Sequence, residues 1–277
     1  MHHQTGSFRG YKDFSLFYQY WLPDGDPKTI LLIVHGLAEH CGRYVNLVDY
    51  FVPRGLAVWS FDQRGHGQSP GRRGYVARFE DYLVDLKIFS DMVRQQHPGI
   101  KTFMVGHSMG GTVAVGYVAQ HQQELAGLIL SGATLKMADS PSAALIALAR
   151  VLSFITPKMG MRVIDASAIS RDKAVVDAYI NDPMVYRGKI SARLGAELIN
   201  IMAKLPGQMA EIRLPLLIMQ GTADRLSHPA GSQMLYERVG SPDKTLKLYE
   251  GFYHEIFNEP GHEQVFADME SWLNARI

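Results

Sequence analysis

Cysteine is nearly absent from this chain: Cys41 is the only one among 277 residues, so no disulfide can form within it. This composition fits a reducing compartment. Charge of one sign is not in excess either, because 28 lysines and arginines stand against 27 aspartates and glutamates. Nucleic-acid binding depends on concentrated positive charge, so this balance predicts no nucleic-acid partner. No run of 18 apolar residues occurs, which argues against a membrane-spanning helix.

Signals for secretion, metals and nucleotides are missing as well. The N-terminal residues hold no apolar segment of signal-peptide type, so we expect a soluble, cytoplasmic protein. No His-Glu-x-x-His motif or Cys/His cluster has metal-ligand spacing, which predicts that the protein binds no metal. The glycine-containing run at 62–69 lacks the Lys-Ser/Thr pair of a phosphate-binding loop. We therefore expect a protein that needs no cofactor.

The first half of the chain alternates between strand and helix patterns. Continuous apolar runs at 29–34, 56–61, 103–105 and 125–130 are typical of strands that are covered on both faces. Between them, apolar residues from 79 to 93 recur at helical spacing. This alternation predicts parallel strands joined by crossover helices, and hence an α/β fold with a mostly parallel central sheet flanked by helices.

The alternation stops after Gly132 and resumes only late in the chain. From 134 to 213 the sequence shows helical and loop patterns without a convincing strand, after which two strand patterns and a final helix follow. We therefore predict a core formed by residues 1–133 and 214–277. A helical cap over residues 134–213 is inserted before the late strands.

The run Gly-His-Ser-Met-Gly at 106–110 follows a predicted strand and precedes a predicted helix. A serine between two glycines at such a turn is typical of a nucleophile held at strained backbone angles, where the flanking residues must be small. We interpret Ser108 as this nucleophile. The alternative is that Ser108 merely caps the helix that follows.

A serine hydroxyl becomes nucleophilic when a base takes its proton and a third group orients the base. On a fold with this type of turn, the partners follow in the order serine, acid, histidine. Asp224 and His254 supply that order, and each directly follows a predicted late strand, where α/β sheets place their sites. We predict a triad of Ser108, Asp224 and His254. The alternatives are a carboxylate paired with the adjacent Arg225 and an ordinary surface histidine.

A tetrahedral intermediate needs two backbone N–H donors aimed at its oxyanion. Met109, the residue after the nucleophile, is expected to supply one. Leu37, in the loop that follows the strand at 29–34, is our candidate for the other, because Gly36 lets the backbone bend toward the site. Gly36 is equally compatible with a plain turn.

Six motifs in this order resemble those of monoacylglycerol lipases and the lysophospholipase-like serine hydrolases of the α/β-hydrolase superfamily. The resemblance covers nearly the whole chain. The motifs are His35-Gly36-x-x-Glu39-His40-x-Gly42-Arg43-Tyr44, Gly65-His66-Gly67-x-Ser69, Gly106-His-Ser-Met-Gly-Gly111, Asn181-Asp182-Pro183-x-Val185-Tyr186, Gln220-Gly221-x-Ala223-Asp224-Arg225-Leu226, and Lys244 to His254.

The resemblance implies an α/β-hydrolase fold with a mobile cap over an acyl pocket. It implies that the protein cleaves monoacylglycerols to glycerol and fatty acid through an acyl-enzyme. The alternatives are a lysophospholipase, a broad carboxylesterase, or a non-catalytic binding protein on the same fold. Glu39 and Arg43 match positions near the glycerol moiety, although their spacing also fits a simple ion pair. Ala38 stands where the family often has glycine.

The segment from Ser142 to Thr156 holds a single charged residue, Arg150. A helix that is apolar nearly all round must be buried, or must face lipid or substrate. Two interpretations stay open. The helix packs onto the core, or it lines the acyl route and gives the cap a peripheral contact with a membrane surface. No feature of the sequence selects an oligomeric state.

Overall fold

The computed structural model describes residues 1–137 and 143–277. Residues 138–142, which belong to the predicted cap and include the start of the predicted apolar helix at Ser142, lie outside the described residues. The described residues form the strands β1 (His2–Arg9), β2 (Ser15–Leu22), β3 (Thr29–Val34), β4 (Leu56–Phe61), β5 (Thr102–His107), β6 (Gly127–Ser131), β7 (Gly160–Arg162), β8 (Ile190–Ser191), β9 (Leu216–Gly221) and β10 (Lys244–Tyr249). Their α-helices are α1 (Val45–Phe51), α2 (Glu80–Gln96), α3 (Met109–His121), α4 (Ala143–Ile155), α5 (Lys173–Asn181), α6 (Ala192–Lys204), α7 (Pro229–Arg238) and α8 (His262–Asn274).

Eight of these strands form one sheet in the order β1-β2-β4-β3-β5-β6-β9-β10. β2 pairs antiparallel with β1 and β4, whereas the strands from β4 to β10 in this order pair parallel. The mostly parallel sheet predicted from the sequence is therefore confirmed. Every residue of β3, β4, β5, β6 and β9 is buried, which explains why these strands have continuous apolar sequences.

Helices cover both faces of the sheet. On one face, α2 and α3 contribute Phe89 and Tyr117 to a core that includes every second residue of β3. On the other face, α1 and α8 contribute Phe51 and Trp272 to a core that includes the intervening residues of β3. Because both faces are covered by helices, the loops at the carboxyl ends of the parallel strands are left to form a site.

The strand β1 is not predicted from the sequence. It pairs with β2 along its whole length, from His2 opposite Leu22 to Arg9 opposite Ser15. Of its eight residues only Phe8 is buried. An edge strand that faces solvent on most of its surface lacks the apolar pattern that marks a buried strand.

The segment between β6 and β9, which contains the residues that we predict to form the cap, is mainly helical. Within it, α4 packs against α6, and α6 contacts α3 of the core. The expectation of no strand in this segment is wrong, because β7 and β8 pair antiparallel there. They are three and two residues long, too short to show an alternating pattern. Among residues 1–137 and 143–277, no helix is both long and apolar enough to cross a bilayer.

Candidate active site

Ser108 lies at the turn between β5 and α3 with a φ of 54° and a ψ of −124°. A non-glycine residue at positive φ is strained, and the neighbouring glycines make this turn sterically feasible. A Cβ at Gly110 would lie 2.1 Å from the Val34 carbonyl oxygen, and a Cβ at Gly106 would lie 2.8 Å from the Cα of Gly111. Ser108 precedes α3, but its side chain makes no capping hydrogen bond, so the interpretation as a mere helix cap is wrong.

The structure brings Ser108, His254 and Asp224 together at the carboxyl ends of β5, β9 and β10. His254 Nε2 lies 2.8 Å from Ser108 Oγ, and His254 Nδ1 lies 2.7 Å from Asp224 Oδ2. Because an ionised carboxylate only accepts hydrogen bonds, Nδ1 carries the ring proton and Nε2 presents its lone pair to the serine. The imidazole is therefore oriented to remove the proton of Ser108.

Asp224 is held by more than the histidine. Its Oδ1 accepts hydrogen bonds from the backbone N–H groups of Leu226 and Ser227 at 2.8 and 2.9 Å, and its Oδ2 accepts one from Gln220 Nε2 at 2.9 Å. Arg225 instead donates to the carbonyl of Ser167, so the alternative pairing of Asp224 with its neighbour is not formed.

The pKa values of the two groups move in the directions that such a pair requires. Burial raises the pKa of the Asp224 carboxyl, but the charge of His254 and the hydrogen bonds to Asp224 outweigh it, so the pKa lies below its ordinary value. Burial lowers the pKa of the His254 imidazole, but Asp224 outweighs it and the pKa lies above the ordinary value. The interaction thus favours an ionised carboxylate beside an imidazole of increased basicity.

The loop after β3 lies beside Ser108. Leu37 and Met109 both line the cavity that contains Ser108 and His254. The Gly36 N–H donates to Glu39 Oε1 at 2.5 Å, which fixes the start of the loop. Both residues therefore lie at the cavity where two oxyanion donors are expected.

Two contacts tie the same loop to the cap segment 182–186. Ala38 has a φ of 68°, a region that residues with a side chain rarely adopt, and its carbonyl accepts a hydrogen bond from the Tyr186 N–H at 2.8 Å. His40 Nε2 lies 2.8 Å from Asp182 Oδ2. The departure from glycine at Ala38 is therefore accommodated as backbone strain in a loop that the cap segment holds.

Glu39 and Arg43 form a buried ion pair at 3.2 Å. Arg43 also donates two hydrogen bonds to the carboxylate of Glu255, at 2.5 and 2.9 Å, and the Tyr44 hydroxyl donates to Glu39 Oε1 at 2.9 Å. Glu39 lines the cavity above Ser108, whereas Arg43 lies behind it and lines a smaller cavity of about 10 Å³. The ion pair that their spacing allows is thus formed, and of the two residues only Glu39 lines the larger cavity.

Burial alone would raise the pKa of Glu39. The nearby His107 and Arg43 have a larger effect in the opposite direction, so the pKa lies at about 2. Glu39 is therefore a carboxylate at neutral pH. Its Oε1 already accepts two hydrogen bonds, whereas Oε2 accepts one from Arg43. Since each carboxylate oxygen can accept two, Oε2 retains one acceptor position.

Above Ser108 lies a cavity of about 210 Å³ that is lined by residues of both the core and the cap. Its upper wall comes from the segment between β6 and β9 and is mostly apolar. Cap residues in this wall include Ile164, Ile169, Tyr179, Ile190, Leu198 and Met202.

Sequence reasoning missed three side chains that the structure brings to this site. Thr134 Oγ1 lies 3.3 Å from Ser108 Oγ and 2.7 Å from Ser227 Oγ, while Glu255 holds Arg43. Each of them follows a strand end by a few residues, so their positions at the carboxyl edge of the sheet are the signal that would have found them. Within the ranges that the structure describes, no group of three or more His, Cys, Asp or Glu side chains could hold a metal ion.

Comparison with known proteins shows the family of this chain. Residues 25–261 match the family Hydrolase_4, described as serine aminopeptidase S33. Monoacylglycerol lipase of Mycolicibacterium smegmatis is 39% identical over 271 residues, which are 98% of this chain and 97% of that protein.

Two solved structures have the same fold. The crystal structure of Paleococcus ferrophilus monoacylglycerol lipase is 33% identical with a TM-score of 0.84, and the match covers 95% of this chain and 99% of that one. A soluble variant of monoglyceride lipase from Saccharomyces cerevisiae, in complex with a substrate analogue, is 28% identical with a TM-score of 0.89, covering 100% and 95%. The chain therefore belongs to the serine aminopeptidase S33 family of α/β-hydrolases, in which its relatives include monoacylglycerol lipases.

Proposed function

We propose that this protein is a carboxylic ester hydrolase that cleaves monoacylglycerols to glycerol and a free fatty acid. The observation that carries the proposal is the continuous hydrogen-bonded series Asp224–His254–Ser108 at the floor of a mostly apolar cavity. The hydrogen-bonded series can activate Ser108 as a nucleophile, and the apolar cavity can hold the acyl chain of the substrate. Relatives named monoacylglycerol lipases support the substrate class.

Acylation begins when Ser108 Oγ attacks the ester carbonyl carbon and its proton passes to His254 Nε2. Asp224 stabilises the imidazolium that forms, because its carboxylate stays ionised at 2.7 Å from Nδ1. The carbonyl oxygen becomes an oxyanion, and the backbone N–H groups of Leu37 and Met109 are the donors that stabilise it. His254 then gives the proton to the glycerol oxygen, the carbon–oxygen bond breaks, and glycerol leaves.

Deacylation repeats these steps with water. His254 removes a proton from a water molecule, whose oxygen attacks the acyl carbon of the ester at Ser108. The second tetrahedral intermediate collapses when its bond to Ser108 Oγ breaks, and His254 returns the proton to that oxygen. The products are the fatty acid and the free enzyme, so no cofactor enters the balance.

Glu39 and Arg43 serve the glycerol end of the substrate in this proposal, with different roles. Glu39 Oε2 offers its remaining acceptor position to a glycerol hydroxyl. Arg43 keeps Glu39 ionised and in place, since it bridges Glu39 and Glu255. Because a hydroxyl donates to a carboxylate more strongly than to a neutral acceptor, this contact would orient the alcohol.

The cap segment 134–213 would cover the acyl chain and also contact the membrane that contains the substrate. Within α4, Ser153 is buried, whereas Leu148, Val151, Phe154 and Ile155 are exposed. Phe154 is 86% and Ile155 69% exposed. Further exposed apolar side chains follow along the chain, at Met159, Met161 and Val163. A group of exposed apolar side chains is typical of a site that rests on lipid.

The test of the substrate class is a set of kcat/KM values for monoacylglycerols, diacylglycerols, lysophospholipids and short-chain esters of matched acyl length. We expect monoacylglycerols to give the highest value. A Glu39→Gln variant keeps the side-chain shape but removes the charge. Its kcat/KM should fall most for monoacylglycerols and least for simple methyl esters. A preference for lysophospholipids, or equal values for all esters, would instead support one of the alternative activities.

A further inference from the structure

We propose that a chain of hydroxyl groups from Ser227 through Thr134 donates a hydrogen bond to Ser108 Oγ, so that Thr134 is a further catalytic residue. The inference rests on the proposed role of Ser108 as nucleophile. Thr134 Oγ1 lies 3.3 Å from Ser108 Oγ and 2.7 Å from Ser227 Oγ. The Ser227 N–H donates to Asp224 Oδ1 at 2.9 Å, which closes a ring of contacts around the triad.

The direction of the chain follows from the number of hydrogens. His254 Nδ1 donates to Asp224, so its Nε2 accepts the single hydroxyl hydrogen of Ser108. The Ser108 hydroxyl then has no hydrogen left for Thr134, so Thr134 must be the donor in the contact between them. Because Thr134 has used its only hydroxyl hydrogen, Ser227 must be the donor in the contact between Ser227 and Thr134. Every hydroxyl in the chain therefore points toward the nucleophile.

The backbone around Thr134 holds its hydroxyl in this place. The Thr134 N–H donates to the Ser108 carbonyl at 3.0 Å, and Thr112 Oγ1 donates to the Thr134 carbonyl at 2.6 Å. Ser227 is fully buried and forms a β-bridge with Met137. Both peptide groups of Thr134 are thus bonded to the start of α3, which limits how far its side chain can move from Ser108.

A donor at this position stabilises the charged states of Ser108 Oγ more than the neutral ones. During acylation, Oγ loses its proton to His254 while its bond to the carbonyl carbon forms. During deacylation, that bond breaks and Oγ takes the electron pair before His254 returns the proton. Between these steps Oγ is an ester oxygen, which is a weak acceptor. Hydrogen bonds to ionised acceptors are roughly twice as strong as those to neutral ones. Thr134 therefore stabilises the transition states of acylation and deacylation more than the uncharged states of Oγ that precede them.

The decisive experiment separates the hydroxyl from the shape of the side chain. Thr134→Val keeps the shape and removes the donor, whereas Thr134→Ser keeps the donor and removes a methyl group. The readouts are kcat and KM for a water-soluble monoacylglycerol and the second-order rate of inactivation by a fluorophosphonate, which reports the nucleophilicity of Ser108 without a deacylation step. Thermal unfolding of each variant checks the fold.

We expect Thr134→Val to lower kcat and the inactivation rate by about tenfold, because the contact is longer than that of an oxyanion-hole donor, whose loss costs about 10²–10³. KM should stay within about twofold, and Thr134→Ser should recover most of the loss. If Thr134→Val does not fold, Thr134→Ala against Thr134→Ser gives the same comparison, because these two differ by the hydroxyl alone.

Equal rates for the variants with and without the hydroxyl would overturn the inference, as would a loss confined to KM. Ser108→Ala distinguishes this failure from failure of the proposed function. If Ser108→Ala removes activity while Thr134→Val keeps it, only the hydroxyl chain is wrong. If Ser108→Ala keeps activity and labelling, the nucleophile itself is wrong and the inference falls with it.

Discussion

The floor of the active site and the cap above it hold their side chains in different ways. On the floor, Asp224 accepts hydrogen bonds from a ring nitrogen, a side-chain amide and two backbone N–H groups, and it is 6% exposed. In the cap, Phe154 is 86% exposed. Directional bonds on the floor fix the positions that bond cleavage requires, whereas this part of the cap presents an apolar side chain to solvent. The proposed chemistry thus depends on side chains that are fixed by hydrogen bonds, whereas the proposed lipid contact depends on exposed apolar side chains.

The largest expected effect comes from removing the hydroxyl of Ser108 on the floor of the site. Ser108→Ala should lower kcat by about 10⁴–10⁶-fold and abolish labelling by a fluorophosphonate, because the remaining groups cannot form an acyl-enzyme. The exposed Ser7 of β1 gives a matched control, and Ser7→Ala should label like the parent protein. Labelling of Ser108→Ala at the parent rate would place the nucleophile elsewhere.

A second effect on the floor concerns pH. His254 must be neutral to accept the proton of Ser108, and its pKa lies above the ordinary value of 6.5. The rate kcat/KM should therefore fall about tenfold for each pH unit below that raised pKa. Asp224→Asn removes the charge that raises the pKa, so it should lower the rate by about 10⁴-fold and move the acid limb to lower pH.

The measurement is a pH profile of kcat/KM on a soluble ester for both proteins. An acid limb that stays in place in Asp224→Asn would contradict the assignment of Asp224 as the partner of His254.

A third prediction addresses the cap. Phe154→Asp should weaken binding to liposomes by about tenfold or more, because burying a phenylalanine contributes about 1.5–3 kcal/mol. Its kcat/KM on a soluble short-chain ester should stay unchanged, because Phe154 does not line the cavity. Leu248→Asp is the matched control, since Leu248 is 53% exposed on the edge strand β10. Equal loss of binding in both variants, or none in either, would show that the cap is not the membrane contact.

The smallest expected effect lies where floor and cap meet. Ala38→Gly relieves a positive φ, which costs about 1–3 kcal/mol in the folded state, but it also increases the entropy of the unfolded chain. The two changes oppose each other, so we expect a free energy of unfolding within about 1 kcal/mol of the parent and kcat within about threefold. Chemical denaturation and steady-state kinetics measure both. A large loss of kcat would mean that the strain itself positions Leu37.

The features that the sequence predicts are those whose physical cause is local. The glycines at 106 and 110 reveal a turn that no larger residue allows, and the apolar runs reveal strands that are buried on both faces. Asp224 and His254 could be assigned because strand ends and chain order restrict the choice. These signals suffice for the mostly parallel sheet and for a triad that the structure brings within hydrogen-bond distance.

The features that the sequence does not predict depend on distant contacts. Thr134 and Ser227 are 93 residues apart and meet because β6 and β9 are neighbours in the sheet. Arg43 and Glu255 are 212 residues apart. Neither pair has a spacing along the chain that predicts the contact between its two members. The strand β1 is missed for a related reason, since its pairing with β2 depends on backbone bonds that leave no apolar pattern.

The hydrogen bond from the Tyr186 N–H to the Ala38 carbonyl has a consequence for protein engineering. Caps are attractive modules to exchange between lipases when a different acyl-chain length is wanted. In this protein such an exchange would also remove the support of the loop that carries Leu37. A graft that keeps residues 182–186 from the parent and replaces only the remainder of the cap should therefore preserve turnover, whereas a complete exchange should trade specificity against rate.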